Sequence, residues 1–408
     1  MTANIAEVQW GAMTFKSSIT VQTVLNFFSD NLNNVNLYPQ FVMKRFCLML
    51  TITNQCNLKC VYCYEGSKDL RRMHISTAQR IIKERIKQYG HEDLEVDFHG
   101  GEPFMNFQLI REVCEWCWTE YPSSAIKFFT TTNGTILTQE VKEWLTENKK
   151  RFAAALSLDG TLEMNHKNRG TRLSEDTIRF FCNLWPEQPV KMTVSKETLP
   201  NFAEGVKYIH SFGLKVNANL AYGLEWENTQ VETYRNELFK LADFYLENPD
   251  METIPIFSKH LTPILEKDII VRHCGTGRNM MAFDVEGNAY PCQMFIPNTL
   301  DKKRWYEISN MDFENEDTLY DDISCKTCLI HNICPTCYGN NFIERGSIGK
   351  RDKRLCPFII AEKEVLSYYK IKQILRKNVA EISQEEYLEL AAAKRIITHT
   401  ETNYCSIG

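Results

Sequence analysis

The sequence predicts an α/β fold with a parallel sheet, followed by a small Cys-rich segment and a C-terminal helix. Three observations carry this reading. From Phe46 onward, short apolar runs alternate with amphipathic ones six times over. Near Met251 the texture shifts to short pieces rich in Cys, Gly, Pro, Asn and Asp, and from Phe358 to about Lys394 the pattern is helical again. At 408 residues there is room for one full domain and a smaller one.

Each element has a local signature. The first 45 residues are too few for an extra domain of ordinary size. Strands are expected at Phe46–Thr53, Leu94–His99, Ile126–Thr132, Ala153–Leu158, Pro189–Ser195 and Leu214–Leu220. Between or after them, helices are expected near Ser76–Tyr89, Phe107–Tyr121, Gln139–Asn148, Glu175–Leu184, Phe202–Phe212 and Val231–Leu246. Ser76 and Ser174 are the expected N-caps, and Gly213 closes the helix ending at Phe212. Such repeats suit a doubly wound sheet or an incomplete barrel, and in a barrel the chemistry sits at the C-terminal strand ends. The segment 251–357 buries little apolar surface and needs staples to fold.

Composition narrows the function. Hydrophobic residues at 43% and charged residues at 24% are those of a globular protein. A net charge of -5 offers no surplus of positive charge for phosphates, so nucleic acid is not an expected partner. The N-terminus lacks a basic region followed by an apolar core, and no apolar run approaches membrane-spanning length. The expectation is a cytoplasmic protein with no membrane partner. Fifteen cysteines then need explaining. They bunch at 56–63 and 274–356, which suits metal-binding thiolates in a reducing compartment better than a disulfide framework.

The run Cys56-Asn57-Leu58-Lys59-Cys60-Val61-Tyr62-Cys63 follows the first strand directly. Three thiolates at C-x3-C-x2-C can take three corners of a cubane cluster and leave one iron open. Structural zinc normally takes four protein ligands, and His74 stands at no usual zinc spacing. This C-x3-C-x-aromatic-C loop resembles the radical S-adenosylmethionine (SAM) superfamily. The resemblance implies a partial (β/α)6 TIM-type barrel over residues 46–250 and a four-iron cluster on Cys56, Cys60 and Cys63. In that family the open iron chelates the methionine moiety of SAM, and the reduced cluster cleaves SAM to a 5′-deoxyadenosyl radical. Tyr62 would lie beside the adenine. His99-Gly100-Gly101-Glu102-Pro103, after the second strand, resembles the family motif for the methionine amino group. There two glycines allow close backbone approach and Glu102 accepts from an ammonium. Asn133 ends the third strand, Ser157 and Asp159 end the fourth, Arg169 follows, and Ser195 ends the fifth. The resemblance makes Ser157, Asp159 and Arg169 contacts for the ribose and carboxylate of SAM, with Asn133 and Ser195 as further cofactor-site residues.

The second cysteine region reads Cys274-x12-Gly287-x4-Cys292, then Cys325-x2-Cys328-x5-Cys334-x2-Cys337, then Cys356. Taken alone, the C-x2-C pairs suit zinc as well as iron–sulfur. The pattern resembles the SPASM extension of radical SAM peptide-modifying enzymes, which carries two auxiliary four-iron clusters, although its usual last spacing is x3. The resemblance gives Cys325, Cys328, Cys334 and Cys356 to one cluster. Cys274, Cys292 and Cys337 would hold the other, with an iron free for substrate. Cys47, Cys114, Cys117, Cys182 and Cys405 are not read as ligands; Cys114 and Cys117 pack as small hydrophobes.

The expected cofactors are therefore SAM and three [4Fe-4S] clusters. The expected function is installing a thioether or carbon–carbon crosslink in a ribosomally made precursor peptide. An external electron donor of flavodoxin or ferredoxin type is implied. Leader recognition falls either to a separate protein or to residues 1–45. A sulfatase-maturing enzyme is the alternative, but in that family an aspartate base follows the auxiliary-cluster cysteine, and here Gln293 follows Cys292. A non-radical iron–sulfur electron-transfer protein or a zinc protein is the reading from a different class.

Overall fold

Six parallel strands carry the fold: β1 (Phe46–Thr53), β2 (Leu94–Gly100), β3 (Lys127–Thr132), β4 (Phe152–Leu156), β5 (Val190–Val194) and β6 (Val216–Leu220). The computed structural model describes residues 45–404 apart from 67, 91–93, 124, 267–270, 301–303, 309 and 310. Residues 1–44, most of the expected N-terminal extension, and Cys405 lie outside the described residues. Helices α1 (Ile75–Tyr89), α2 (Phe107–Glu120), α3 (Gln139–Asn148), α4 (Leu162–Arg169), α5 (Glu175–Leu184), α6 (Phe202–His210) and α7 (Val231–Glu247) follow the strands.

Strands β4, β3, β2 and β1 pair side by side, and β5 pairs with β6. A parallel bridge from Ser157 to Lys191 joins β4 to β5, where Leu158 N donates to Lys191 O at 3.1 Å. The result is an open, partial TIM-type barrel. Alternation along β2 shows its two faces: Leu94, Val96 and Phe98 are buried toward the helices, while Glu95, Asp97 and His99 face the lumen.

The Cys-rich segment does not stand apart. Its β7 (Met280–Phe283) pairs in parallel with β1, and β8 (Ala289–Tyr290) pairs antiparallel with β7, extending the barrel sheet. A second apolar core gathers here around Phe295, Phe313, Tyr338 and Phe342. The helix α8 (Tyr338–Arg345) belongs to this segment.

Four details differ from the sequence reading. Helix α4 was not expected; it has little apolar stripe, and Thr161, accepting from Met164 N at 3.2 Å, with Gly170 at φ 73°, marks its ends. His74 caps α1 in place of Ser76, its Nδ1 accepting from Ser76 N at 3.3 Å. Helix α6 stops at His210, and Gly213 N donates back to His210 O at 2.8 Å. The single C-terminal helix is two, α9 (Cys356–Ile374) and α10 (Gln384–Tyr404). A reciprocal Asn378–Glu381 capping box turns the chain between them. Helix α9 docks on α7, with Tyr234 OH donating to Glu362 at 2.8 Å and Phe358 against the Tyr234 ring at 5.7 Å. Among the described residues no helix is long and apolar enough to cross a membrane.

Candidate active site and cysteine groups

The loop that leaves β1 carries the first thiols, and β2 holds it in place. Gly101 N donates to Thr53 O at 3.1 Å and Glu102 N to Gln55 O at 2.7 Å. A Cβ on Gly100 would meet Thr53 O at 2.3 Å, and one on Gly101 would meet Gln55 O at 2.4 Å. The glycines therefore admit the cysteine loop itself, a different cause from the ligand approach expected of them. Within the loop, Leu58 N donates to Cys56 Sγ at 3.4 Å and Cys63 N to Cys60 O at 3.1 Å. Burial raises the thiol pKa of Cys56 and Cys60; Arg169 offsets this at Cys60, which also senses Cys63 and Cys56. Cys63 is exposed. The structure thus gathers these three side chains beside one another.

Glu102 is buried below them. Its Oε1 accepts from Phe104 N at 3.0 Å and Thr132 Oγ1 at 2.7 Å, and its Oε2 from Asn133 N at 2.8 Å. An ionised carboxylate has about four acceptor sites, so capacity remains on Oε2 for one further donor. Burial raises the Glu102 pKa, and these hydrogen bonds pull it back. Asn133 Nδ2 reaches Asn57 Oδ1 at 3.0 Å, tying the end of β3 to the cysteine loop.

Asp159 is fully buried and satisfied by protein donors: Arg169 Nε and Nη2 at 2.9 Å each, Tyr62 OH at 2.5 Å, Asn168 Nδ2 at 3.2 Å and Thr193 N at 2.9 Å. It orients Arg169 and Tyr62, whose ring lies 5.6 Å from the guanidinium carbon. Arg169 keeps its Nη1 hydrogens for another acceptor. Ser157 is buried at the end of β4. The Ser195 hydroxyl lies 2.6 Å from Asn168 Oδ1 and 2.8 Å from Glu197 Oε2.

Sequence reasoning passed over Asn168, which lies in the unexpected helix α4, and the pair Tyr64–His99. Tyr64 OH is 3.3 Å from His99 Nε2. Burial lowers His99 to about 4, so the ring is neutral, and its Nδ1 is buried without a partner. Thr51 Oγ1, in register with His99 across β1 and β2, is likewise unpartnered, as are Gln293 Oε1 and Glu65 Oε2. Unsatisfied buried polar atoms are costly, and His99 Nδ1 with Thr51 Oγ1 beside it in the sheet fits a site built for a polar ligand. The place of His99, ending β2 just before the glycines, was the available signal.

In the C-terminal region the structure forms two separate groups. Burial pushes Cys292 to about 12, with Cys337 and Cys274 nearby adding to it, and Cys337 also senses Cys274. Burial pushes Cys356 to about 11, and Cys334, Cys325 and Cys328 contribute. A cavity of about 100 Å³ opens between Cys334, Cys356, Arg351 and the end of β6. Tyr64 stands between regions: burial raises its phenol well above the usual value, and Glu65, Cys63, Cys292 and Cys337 all add to this. Among the described residues no three His, Cys, Asp or Glu side chains converge as they would around a single ion. Cys114 and Cys117 are fully buried in the main core.

The family profile of the Radical SAM superfamily matches residues 50–234, from β1 into α7. These residues are a radical SAM domain. A protein with this domain is an enzyme. An uncharacterised protein of Methanocaldococcus jannaschii is 32% identical over 176 residues, covering 41% of this chain; the chain spans 59% of that relative's length. A cysteine-type anaerobic sulfatase-maturating enzyme of Clostridium perfringens is 23% identical over 340 residues, 75% of this chain and 90% of the relative. Among solved structures, anSMEcpe with bound AdoMet has a TM-score of 0.62 at 19% identity, covering 85% of this chain and 98% of that one. Streptococcus suis SuiB bound to precursor peptide SuiA has a TM-score of 0.52 at 17% identity, covering 82% and 86%. At these identities the structural likeness is one of fold. The radical SAM domain places Cys56, Cys60, Cys63, Glu102, Asn133 and Arg169 around one end of its barrel.

Proposed function

We propose that this radical SAM enzyme matures a ribosomally made precursor peptide, forming a thioether or carbon–carbon crosslink. The observation that carries the reading is one end of a barrel bearing three thiols on one loop, a buried carboxylate with spare acceptor capacity and a guanidinium held by Asp159. Two further cysteine groups stand in the C-terminal segment, which an enzyme needing only the first cluster would not require.

In this reading Cys56, Cys60 and Cys63 hold a four-iron cluster. Glu102 Oε2 and Asn133 receive the amino end of SAM, and Arg169 a negatively charged or hydroxyl group. Tyr62 and Ser157 border the remainder, with Ser195 behind Asn168. The bound cluster and SAM supply one-electron cleavage to a 5′-deoxyadenosyl radical, which takes hydrogen from the substrate. The chain's own work is placement: Asp159 fixes Arg169 and Tyr62.

Cys274, Cys292 and Cys337 are assigned to one auxiliary cluster, and Cys325, Cys328, Cys334 and Cys356 to the other. Beside a radical SAM domain, iron–sulfur is favoured over zinc for these cysteines. The proposed division is 46–250 for the barrel, 251–357 for the auxiliary domain and 358–408 for the C-terminal part. A flavodoxin- or ferredoxin-type donor and a leader-recognition protein are the proposed partners. SuiB, which shares the fold, binds a precursor peptide.

Sulfatase maturation is the second reading, favoured by the extent of likeness to the Clostridium perfringens enzyme. Gln293, whose amide cannot take a proton as a carboxylate would, weighs against it. The test is release of 5′-deoxyadenosine from SAM by the reconstituted, reduced protein, followed by mass spectrometry of candidate peptides. A loss of two hydrogens without fragmentation is the expected product. No 5′-deoxyadenosine at all would refute the proposal, and formylglycine would replace it with the second reading.

A further inference from the structure

The two C-terminal cysteine groups sit in different electrostatic surroundings. Around Cys274, Cys292 and Cys337 the near donors are neutral: Thr276 Oγ1 lies 2.9 Å from Cys274 Sγ, and Thr276 N 3.5 Å from it. Asn340 N donates to Cys337 Sγ at 3.5 Å, while the cations of this group bond elsewhere: Arg272 donates to Thr276 O at 2.7 Å and Phe313 O at 2.8 Å, and Arg345 acts on Cys337 at longer range.

Around Cys325, Cys328, Cys334 and Cys356 a cation donates directly to a sulfur. Lys353 Nζ donates to Cys325 Sγ at 3.3 Å. Asp322 Oδ2, at 3.0 Å, and Ser324 Oγ, at 2.5 Å, hold that ammonium in place. Arg351 is buried; its Nη1 donates to Cys334 O at 3.4 Å, its guanidinium lies 4.4 Å from the Tyr320 ring centre, and its Nε has no partner. A buried guanidinium N–H without an acceptor is an expensive arrangement unless a further acceptor completes it. Lys363, fully buried on α9, also acts on Cys334, with Glu362 and Lys259 as its other charged neighbours. Cys328 is exposed.

We propose that Lys353 and Arg351, backed by Lys363, are tuning residues that set the reduction potential of the four-cysteine cluster above that of its three-cysteine neighbour. The inference rests on the cluster assignment proposed above. Reduction adds one electron and one negative charge to a cluster. Hydrogen bonds to its sulfurs and nearby buried cations stabilise that charge and raise the potential. An electron given up at the three-cysteine cluster therefore moves to the four-cysteine cluster, the first being oxidised and the second reduced, with no proton transferred. Exposed Cys328 marks where a flavodoxin- or ferredoxin-type acceptor would take it up.

The test is a redox titration, followed by electron paramagnetic resonance, of the full-length, anaerobically reconstituted protein. Lys353→Met is expected to lower one auxiliary potential by about 59 mV, a tenfold change for one electron, and leave the other in place. Lys353→Arg, which keeps the cation, is expected to retain most of the wild-type potential. Arg351→Met is expected to lower the same potential with iron content maintained. Two auxiliary potentials equal in the wild type, or unmoved in both methionine variants at full iron content, would overturn the inference. Failure of the underlying assignment reads differently: Cys328→Ala and Cys292→Ala would then each leave the iron count unchanged.

Discussion

Asp159 and Glu102 are both buried carboxylates at strand ends, yet the donors around them divide their work. The oxygens of Asp159 are taken up by Arg169, Tyr62, Asn168 and Thr193 N, so it acts through the groups it holds. Replacing it leaves the Arg169 charge buried with no counter-charge. Asp159→Asn should therefore cost about 3–5 kcal/mol of stability, read as a lower urea midpoint at unchanged slope. Unchanged stability would show that Arg169 finds water instead. Glu102 has capacity to spare on Oε2. Glu102→Gln should weaken SAM binding about 10- to 100-fold, as loss of a hydrogen bond to a charged group does. Equilibrium dialysis at full iron content checks this, and affinity within twofold of wild type would remove Glu102 from the site.

At the scale of elements, the close approach of β2 to the loop leaving β1 fixes where the first three thiols stand. Gly101→Ala forces a Cβ to within 2.4 Å of Gln55 O, a backbone atom with nowhere to move cheaply. The expected outcome is reconstituted protein short by about one cubane's iron, with the C-terminal clusters retained; full iron content would contradict it. The barrel strands were legible because apolar alternation and β-branched runs mark them, and β1 begins and ends where expected. Helix α4 was not legible, since it is held by its caps and by Asn168 and Arg169, whose partners are far away in sequence. The turn between α9 and α10 depends on a four-residue capping exchange that a helical pattern alone masks. The pairing of β7 with β1 spans more than 200 residues of sequence and has no local signal. In the site, cysteine spacing marked the thiols, whereas the Tyr64–His99 contact joins the loop after β1 to the end of β2, residues distant in sequence with no local signal.

For the molecule as a whole, the barrel lumen is a polar interior that carries charge. Burial raises the Asp97 carboxyl to about 8; Glu95 adds to this and Lys191 on β5 opposes it. In the unfolded chain an aspartate ionises near 3.9. The folded state thus keeps a proton that the unfolded state has lost across that interval. Its stabilising contribution is complete below about pH 4 and is lost as pH rises through about 8. Stability of Asp97→Asn should accordingly fall less steeply than wild type between pH 4 and 8 in urea titrations. Parallel profiles would mean that the lumen is open enough to water to leave Asp97 ionised. The same lumen opens at the strand ends where Cys56, Cys60 and Cys63 stand. The account depends on those thiols leaving one cluster iron open to SAM. Electron paramagnetic resonance of the reduced, reconstituted protein, recorded before and after adding SAM, tests this most directly. The account predicts that the signal of one cluster shifts on addition and that Cys60→Ala abolishes the shift; a spectrum unchanged at saturating SAM would contradict it.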